Sequence, residues 1–179
     1  MHPLINRLDT RVDSVFDRFR GNPIADRLFY SATALGDFGL LWLAIGLLRI
    51  LRGRPGDTRA GLRAIAATGI ESVLVNIGVK SLFRRRRPRP MAAHPLPFRQ
   101  PLTSSFPSGH ATAAFCAASL LAENENGAPL YYGLATVVAL SRIHTKIHHG
   151  SDVAGGIVIG VMLGRLGRRI VPLVRGAAR

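Results

Sequence analysis

An all-α integral-membrane bundle, with about five transmembrane helices behind an N-terminal amphipathic interfacial helix, is the fold this sequence predicts. Three observations predict it. Apolar stretches of near-membrane length recur along the chain, and the mean hydropathy of +0.20 averages them with the polar segments between. Those polar segments hold short clusters of arginine, which carry most of a formal charge of +14. The turn residues fall between the stretches rather than within them.

The elements follow in order. Leu4, Ile5, Leu8, Val12, Val15, Phe16 and Phe19 recur at helical spacing, with Arg7, Asp9, Arg11, Asp13 and Asp17 between them. That pattern makes residues 1–22 an amphipathic helix too charged to span a bilayer. It either lies flat at the membrane surface or packs on the other helices. No cleavable signal peptide is expected, because no short apolar core precedes a small-residue cleavage site. A hydrocarbon core of about 30 Å needs roughly 20 mostly apolar residues per crossing. Candidate crossings are 28–51, 60–82, 108–122, 128–143 and 153–174, of which the third and fourth are short. Residues 53–57 and 123–127 are turn-like connectors, whereas 84–106 is a long loop rich in arginine and proline. The chain of 179 residues fits one domain, with 60–174 as its motif-bearing core.

Composition narrows the partners. The positive charge implies anions: lipid headgroups, phosphorylated substrates or nucleic acid. Nucleic acid is set aside, because no basic face interleaved with aromatics accompanies the clusters. A single cysteine, Cys116, excludes an intrachain disulfide and a multi-cysteine zinc site, and its apolar surroundings make it a packing residue.

Alternating the crossings brings three polar clusters to one membrane face. In the first, Lys80 and Arg87 stand seven residues apart, followed by Pro88. The chain has only two lysines, so a compact ammonium at position 80 stands out against the arginines, although the cluster also reads as a headgroup-binding cap. The second, Pro107-Ser108-Gly109-His110, opens an apolar helix: Ser108 is the N-cap, and Gly109 lets a ligand approach the backbone. Free amides there favour an anion, with His110 beside it to give a proton; an ordinary capped helix with an interfacial histidine is the alternative. The third contains Ser141, Arg142, His144, Lys146, His148, His149 and Asp152. Asp152 can hold one ring nitrogen of His148 and leave the other as a nucleophile. The i,i+4 pair His144 and His148 also admits a metal site, but no HExxH occurs and the surrounding cations oppose one. Glu71 and Asp37 lie inside apolar stretches; an interhelical hydrogen bond is the expected role of Glu71.

Together, K-x6-RP (Lys80, Arg87, Pro88), PSGH (107–110) and SR-x5-H-x3-D (Ser141, Arg142, His148, Asp152) resemble the three-part signature of the type 2 phosphatidic acid phosphatase superfamily, to which vanadium haloperoxidases also belong. The resemblance covers residues 60–174. It implies a metal-independent membrane phosphatase, with no cofactor, acting on a lipid monophosphate or diphosphate such as phosphatidate, phosphatidylglycerol phosphate or a polyprenyl phosphate. It makes His148 the nucleophile, Asp152 its orienting group and His110 the proton donor. Lys80, Arg87, Ser108, Gly109 and Arg142 then bind the phosphate. His144, Lys146, His149 and arginines 84–86 fall outside the pattern and read as solvated interfacial charges. A non-catalytic lipid-binding or transport protein with a relic pocket is the alternative. The expected setting is the cell membrane, crossed several times. Both faces carry many arginines, so the positive-inside rule assigns neither, and nothing in the sequence fixes an oligomeric state.

Overall fold

The computed structural model describes residues 2–173 apart from 55, 90–93, 97 and 100–102. Among the described residues all regular structure is helical: α1 (Pro3–Asp17), α2 (Pro23–Gly36), α3 (Leu40–Arg52), α4 (Asp57–Val73), α5 (Gly109–Leu121), α6 (Ala128–His144) and α7 (Gly150–Ile170). Val174, the expected end of the fifth crossing, lies outside the described residues.

Local chemistry sets the boundaries. Asn22 Oδ1 accepts from the amides of Ile24 and Ala25, and Pro23 fills the first position of α2, where its missing N–H costs nothing. The first apolar stretch is not one straight helix. It breaks at Asp37–Gly39, where Phe38 and Gly39 both take left-handed φ values of 54° and 71°. Hydropathy alone reads straight through this break. Beyond α4 the helix loosens into a π-helical turn at Leu74–Gly78 and a tight turn at Val79–Leu82, which ends the stretch beside Lys80. With these breaks included, Pro23–Arg52 and Asp57–Leu82 are long and apolar enough to cross a membrane.

α5 is the central element. Ala111, Thr112, Ala114 and the run Cys116–Leu121 are buried, which explains why its sequence is apolar on every side. Trp42, Leu121 and Val138 pack with it from α3, its own end and α6. The α5–α7 crossing is tight because α7 presents glycine every fourth residue. A Cβ at Gly156, Gly160 or Gly164 would stand 2.6, 2.4 or 2.4 Å from Ser108 O, Thr112 O or Ser119 Cβ respectively. The α3–α4 crossing uses the same device, with Gly61 against the carbonyl of Gly46.

The two ends of the bundle carry different networks. At one end Arg49 and Arg52 hold Asp57 and Glu125, so the connectors after α3 and α5 meet. Arg49 and Arg63 also donate to the last carbonyls of α5, Leu121 O and Leu120 O, each at 2.8 Å. The end of α4, the start of α5 and the α6–α7 junction gather at the opposite end.

α1 packs on α6 and α7 through Val12 and Phe16 rather than standing apart from them. Arg20, in the α1–α2 turn, donates to Ile143 O at 2.7 Å and His144 O at 2.8 Å, closing the carbonyl end of α6.

Candidate active site

The α6–α7 junction is the five residues 145–149, and it is held from α1. Lys146 adopts a left-handed φ of 52° and reaches Asp13 and Asp17 at 3.3 and 3.4 Å. His144 is fully buried, with Nε2 2.7 Å from Asp26. These contacts correct the expectation that His144 and Lys146 are solvated charges. His144 and His148 share a helical spacing but have different partners, so their spacing serves the junction, not a shared ligand.

His148, 2% exposed, faces Arg87 on one side and Asp152 on the other. Its Nε2 lies 3.2 Å from Arg87 Nη1. A guanidinium only donates, so Nε2 is the acceptor and the ring proton sits on Nδ1, toward Asp152. Nδ1 is 3.7 Å from Asp152 Oδ2, longer than a hydrogen bond, a separation common in catalytic pairs before substrate binds. Burial, then Arg142 and Arg87, push the His148 pKa down to about 3, so the imidazole is neutral at physiological pH.

Asp152 is completely buried and saturated with donors. Oδ2 accepts from Ser105 Oγ at 2.6 Å and from the His149 amide at 2.8 Å, while Oδ1 takes Arg85. Arg85 also bonds Asp9 Oδ2 at 2.5 Å, and Asp9 accepts the Ser151 amide and hydroxyl, each at 2.8 Å. Arg85 and Asp9 therefore belong to the site's support. Arg85 looked like surplus charge in a run of four arginines, and Asp9 looked like the polar face of an amphipathic helix. Neither carries a sequence signal for its role.

The other motif residues meet here. Ser108 caps α5, and its amide donates to Asp152 O at 3.0 Å, tying the start of α5 to the start of α7. Lys80 Nζ bonds Asn76 Oδ1 at 2.9 Å, and a Cβ on Gly109 would lie 3.6 Å from the same Nζ. Arg87 is braced by the carbonyls of Thr103, Ser104 and Ile147. Ser141 Oγ bonds Thr33 Oγ1 at 2.8 Å, and Thr33 in turn takes one donor from Arg142 at 3.0 Å. Arg142 is fully buried, yet its Nε and Nη2 have no partner among the described residues. Buried guanidinium donors without acceptors are costly, and an anion supplies what they lack.

His110 Nε2 lies 3.0 Å from Asp37 Oδ1, in the break between α2 and α3. Gly36 makes room for it, since a Cβ there would meet His110 Cδ2 at 2.7 Å. In sequence Asp37 lies inside an apolar stretch, and no spacing pairs it with His110. These groups border a cavity of about 540 Å³ with Lys80, Gly109, His110 and His148 on its wall. Phe38, with Arg99 stacked 4.7 Å over its ring, and Glu71 line it too. Glu71 is 3% exposed and its Oε1 has no hydrogen-bond partner among the described residues, so the expected interhelical bond is corrected. Cationic donors, a neutral imidazole whose unprotonated Nε2 accepts from Arg87 and a second histidine paired to a carboxylate suit the binding and transfer of a phosphoryl group.

Comparison with known proteins agrees with that chemistry. Residues 60–175 match the PAP2 superfamily model. The decaprenylphosphoryl-5-phosphoribose phosphatase of Mycobacterium tuberculosis is 36% identical over 149 residues, covering 80% of this chain and 81% of that protein. The same fold occurs in a transmembrane PAP2-type phosphatidylglycerolphosphate phosphatase from Bacillus subtilis, with TM-score 0.74 and 23% identity over 99% of this chain and 90% of that one. Aquifex aeolicus LpxE gives 0.73 and 24%, over 94% and 96%. This chain therefore belongs to the PAP2 superfamily, and it is a phosphatase.

Proposed function

We propose that this chain is a multi-pass lipid phosphate phosphatase of the cell membrane, working through a phosphohistidine on His148. The observation that carries the reading is the tautomer of His148: Arg87 can only donate, so Nε2 is unprotonated and its lone pair, held by Arg87 Nη1 at 3.2 Å, can pass to phosphorus when a phosphate takes over that guanidinium. In the first step Nε2 attacks phosphorus and the bond to the leaving oxygen breaks, that oxygen taking a proton from His110. Asp152 receives the developing positive charge on the ring through Nδ1–H. Lys80, Arg87, Arg142, the Ser108 hydroxyl and the Gly109 amide hold the non-bridging oxygens, where charge spreads in the transition state. In the second step water attacks phosphorus, His110 takes the water proton, the N–P bond breaks and phosphate leaves. No step calls on a metal.

The apolar surroundings favour a substrate anchored in the bilayer over a soluble ester. α5, with 13 residues, is about 20 Å long, shorter than a hydrocarbon core of about 30 Å, so its active end suits a phosphate drawn down from the surface. Among lipid phosphates, similarity to the mycobacterial enzyme favours a phosphomonoester on a polyprenyl-linked sugar. Phosphatidate, phosphatidylglycerol phosphate and polyprenyl phosphates or diphosphates complete the panel to test.

Phosphate release in detergent, with and without EDTA, tests the reading for wild type and His148→Ala. Release that persists in EDTA and vanishes in His148→Ala is expected. Full activity in His148→Ala removes the nucleophile, and loss in EDTA removes the metal-free mechanism.

A further inference from the structure

Glu71 is out of place in a phosphate pocket. It sits on α4, buried, with Oε1 unpartnered among the described residues, on the wall of a cavity also bordered by Lys80, Arg99, His110 and His148. It forms no ion pair with Lys80, whose ammonium is committed to Asn76. An ionised carboxylate repels a phosphoryl group, so in that state what Glu71 meets in a bound substrate is not the phosphate. The cations on the same wall disfavour an ammonium headgroup. A neutral hydroxyl remains, as donor to the empty acceptor.

The position fits. Glu71 lies five residues before Asn76, about 7 Å along the helix axis from the group that holds the phosphate-binding lysine. That is the span of a glycerol or a pentose beyond its phosphate. On its other side Glu71 borders an apolar groove of about 300 Å³ between α4 and α7, lined by Ile70, Leu74, Leu163 and Leu166. It therefore stands where a polar headgroup gives way to hydrocarbon.

We infer that Glu71 is a specificity residue that accepts a hydrogen bond from a hydroxyl of the alcohol bearing the phosphate, selecting lipids with a hydroxylated headgroup, a glycerol or a sugar. The inference rests on the lipid phosphatase reading above. A site built to bond a hydroxyl discriminates strongly against an analogue without one, because its buried polar group is then left unpaired.

The test compares kcat/KM for phosphatidylglycerol phosphate, whose phosphate-bearing glycerol has a free hydroxyl, with that for dioleoyl phosphatidate, which has none. Wild type, Glu71→Gln and Glu71→Leu are assayed in the same detergent micelles. The preference ratio is expected to fall about tenfold or more in Glu71→Leu and to stay within about threefold of wild type in Glu71→Gln, which keeps an acceptor oxygen. Equal loss on both substrates in Glu71→Leu, or an unchanged ratio, overturns the inference. A binding arm separates this from the phosphatase reading: thermal stabilisation by phosphatidylglycerol, the dephosphorylated lipid, is measured for His148→Ala with and without Glu71→Leu. Stabilisation lost with Glu71→Leu supports the hydroxyl contact even if no lipid phosphate is hydrolysed, and stabilisation equal in both variants overturns it.

Discussion

Replacing Gly160 with alanine adds one methyl group about 12 Å along α7 from Asp152, far from any reacting atom. The new Cβ would stand 2.4 Å from Thr112 O and 3.1 Å from both Cys116 N and Phe115 Cβ. Two of those three atoms are α5 backbone, which has no rotamer to turn aside. The helices must separate by about 1 Å to restore ordinary contact distances. Overpacking of this kind costs roughly 1–3 kcal/mol. Because Ser108 caps α5 and Gly109 and His110 open it while α7 carries Asp152, the separation also displaces the start of α5 from Asp152 and His148. A misplacement of about 1 Å is enough to lower kcat by roughly a hundredfold. Thermal unfolding and phosphate release in detergent measure both effects on one preparation. Gly133→Ala is the control: Gly133 lies on α6 with nothing within 4 Å of an added Cβ, so activity is retained and stability is unchanged or raised by about 0.5–1 kcal/mol. Wild-type activity and stability in Gly160→Ala would refute the claim that glycine spacing sets the geometry of the site.

Three further outcomes follow from the contacts described. Asp9→Ala removes one of the two carboxylates that hold Arg85 and leaves the Ser151 amide without its acceptor, so stability falls by roughly 1–3 kcal/mol and kcat drops even though Asp9 touches no substrate; denaturant unfolding and turnover measure the two. Asp37→Asn keeps the shape beside His110 but removes its counter-charge, and kcat is expected to fall about 10- to 100-fold with little change in KM, read from initial rates. His148 has a folded-state pKa of about 3 against an ordinary 6.5, so the unfolded chain binds its proton first on acidification. Its contribution to stability is full above pH 6.5 and is lost as pH falls toward 3, with a slope approaching about 1.4 kcal/mol per pH unit. His148→Asn lacks that component, and unfolding free energies at several pH values in this window isolate it by difference.

Much of the candidate site could be read from sequence, because its residues come as spaced motifs at helix ends. Lys80, Arg87, Ser108, Gly109, His110, Arg142, His148 and Asp152 fall in the three motifs that carry the family resemblance, and they gather at one end of the bundle. What escaped was the support around them. Asp37 lies in a stretch whose hydropathy hides the break at Phe38 and Gly39. Arg85 is indistinguishable in sequence from Arg84 and Arg86, and only the fold selects it to bridge Asp9 and Asp152. The helical period of 1–22 was legible, but the amphipathic pattern did not say that its acidic side meets protein. Partners separated by more than 60 positions leave no local trace, since their pairing follows from helix packing alone.

The Asp9 contact also orders events during synthesis. Its partners, Ser151 and, through Arg85, Asp152, lie 142 and 143 positions later in the chain. Synthesis therefore completes α1 through α6 before Asp9 can meet Ser151, whereas Asp13 and Asp17 find Arg20 at once and Arg85 emerges midway. Closing so long a loop is slow, and domains rich in such distant contacts fold slowly. The candidate site is thus among the last parts of the molecule to be completed, and a chain stopped before α7 lacks Asp152, the buried acid beside His148.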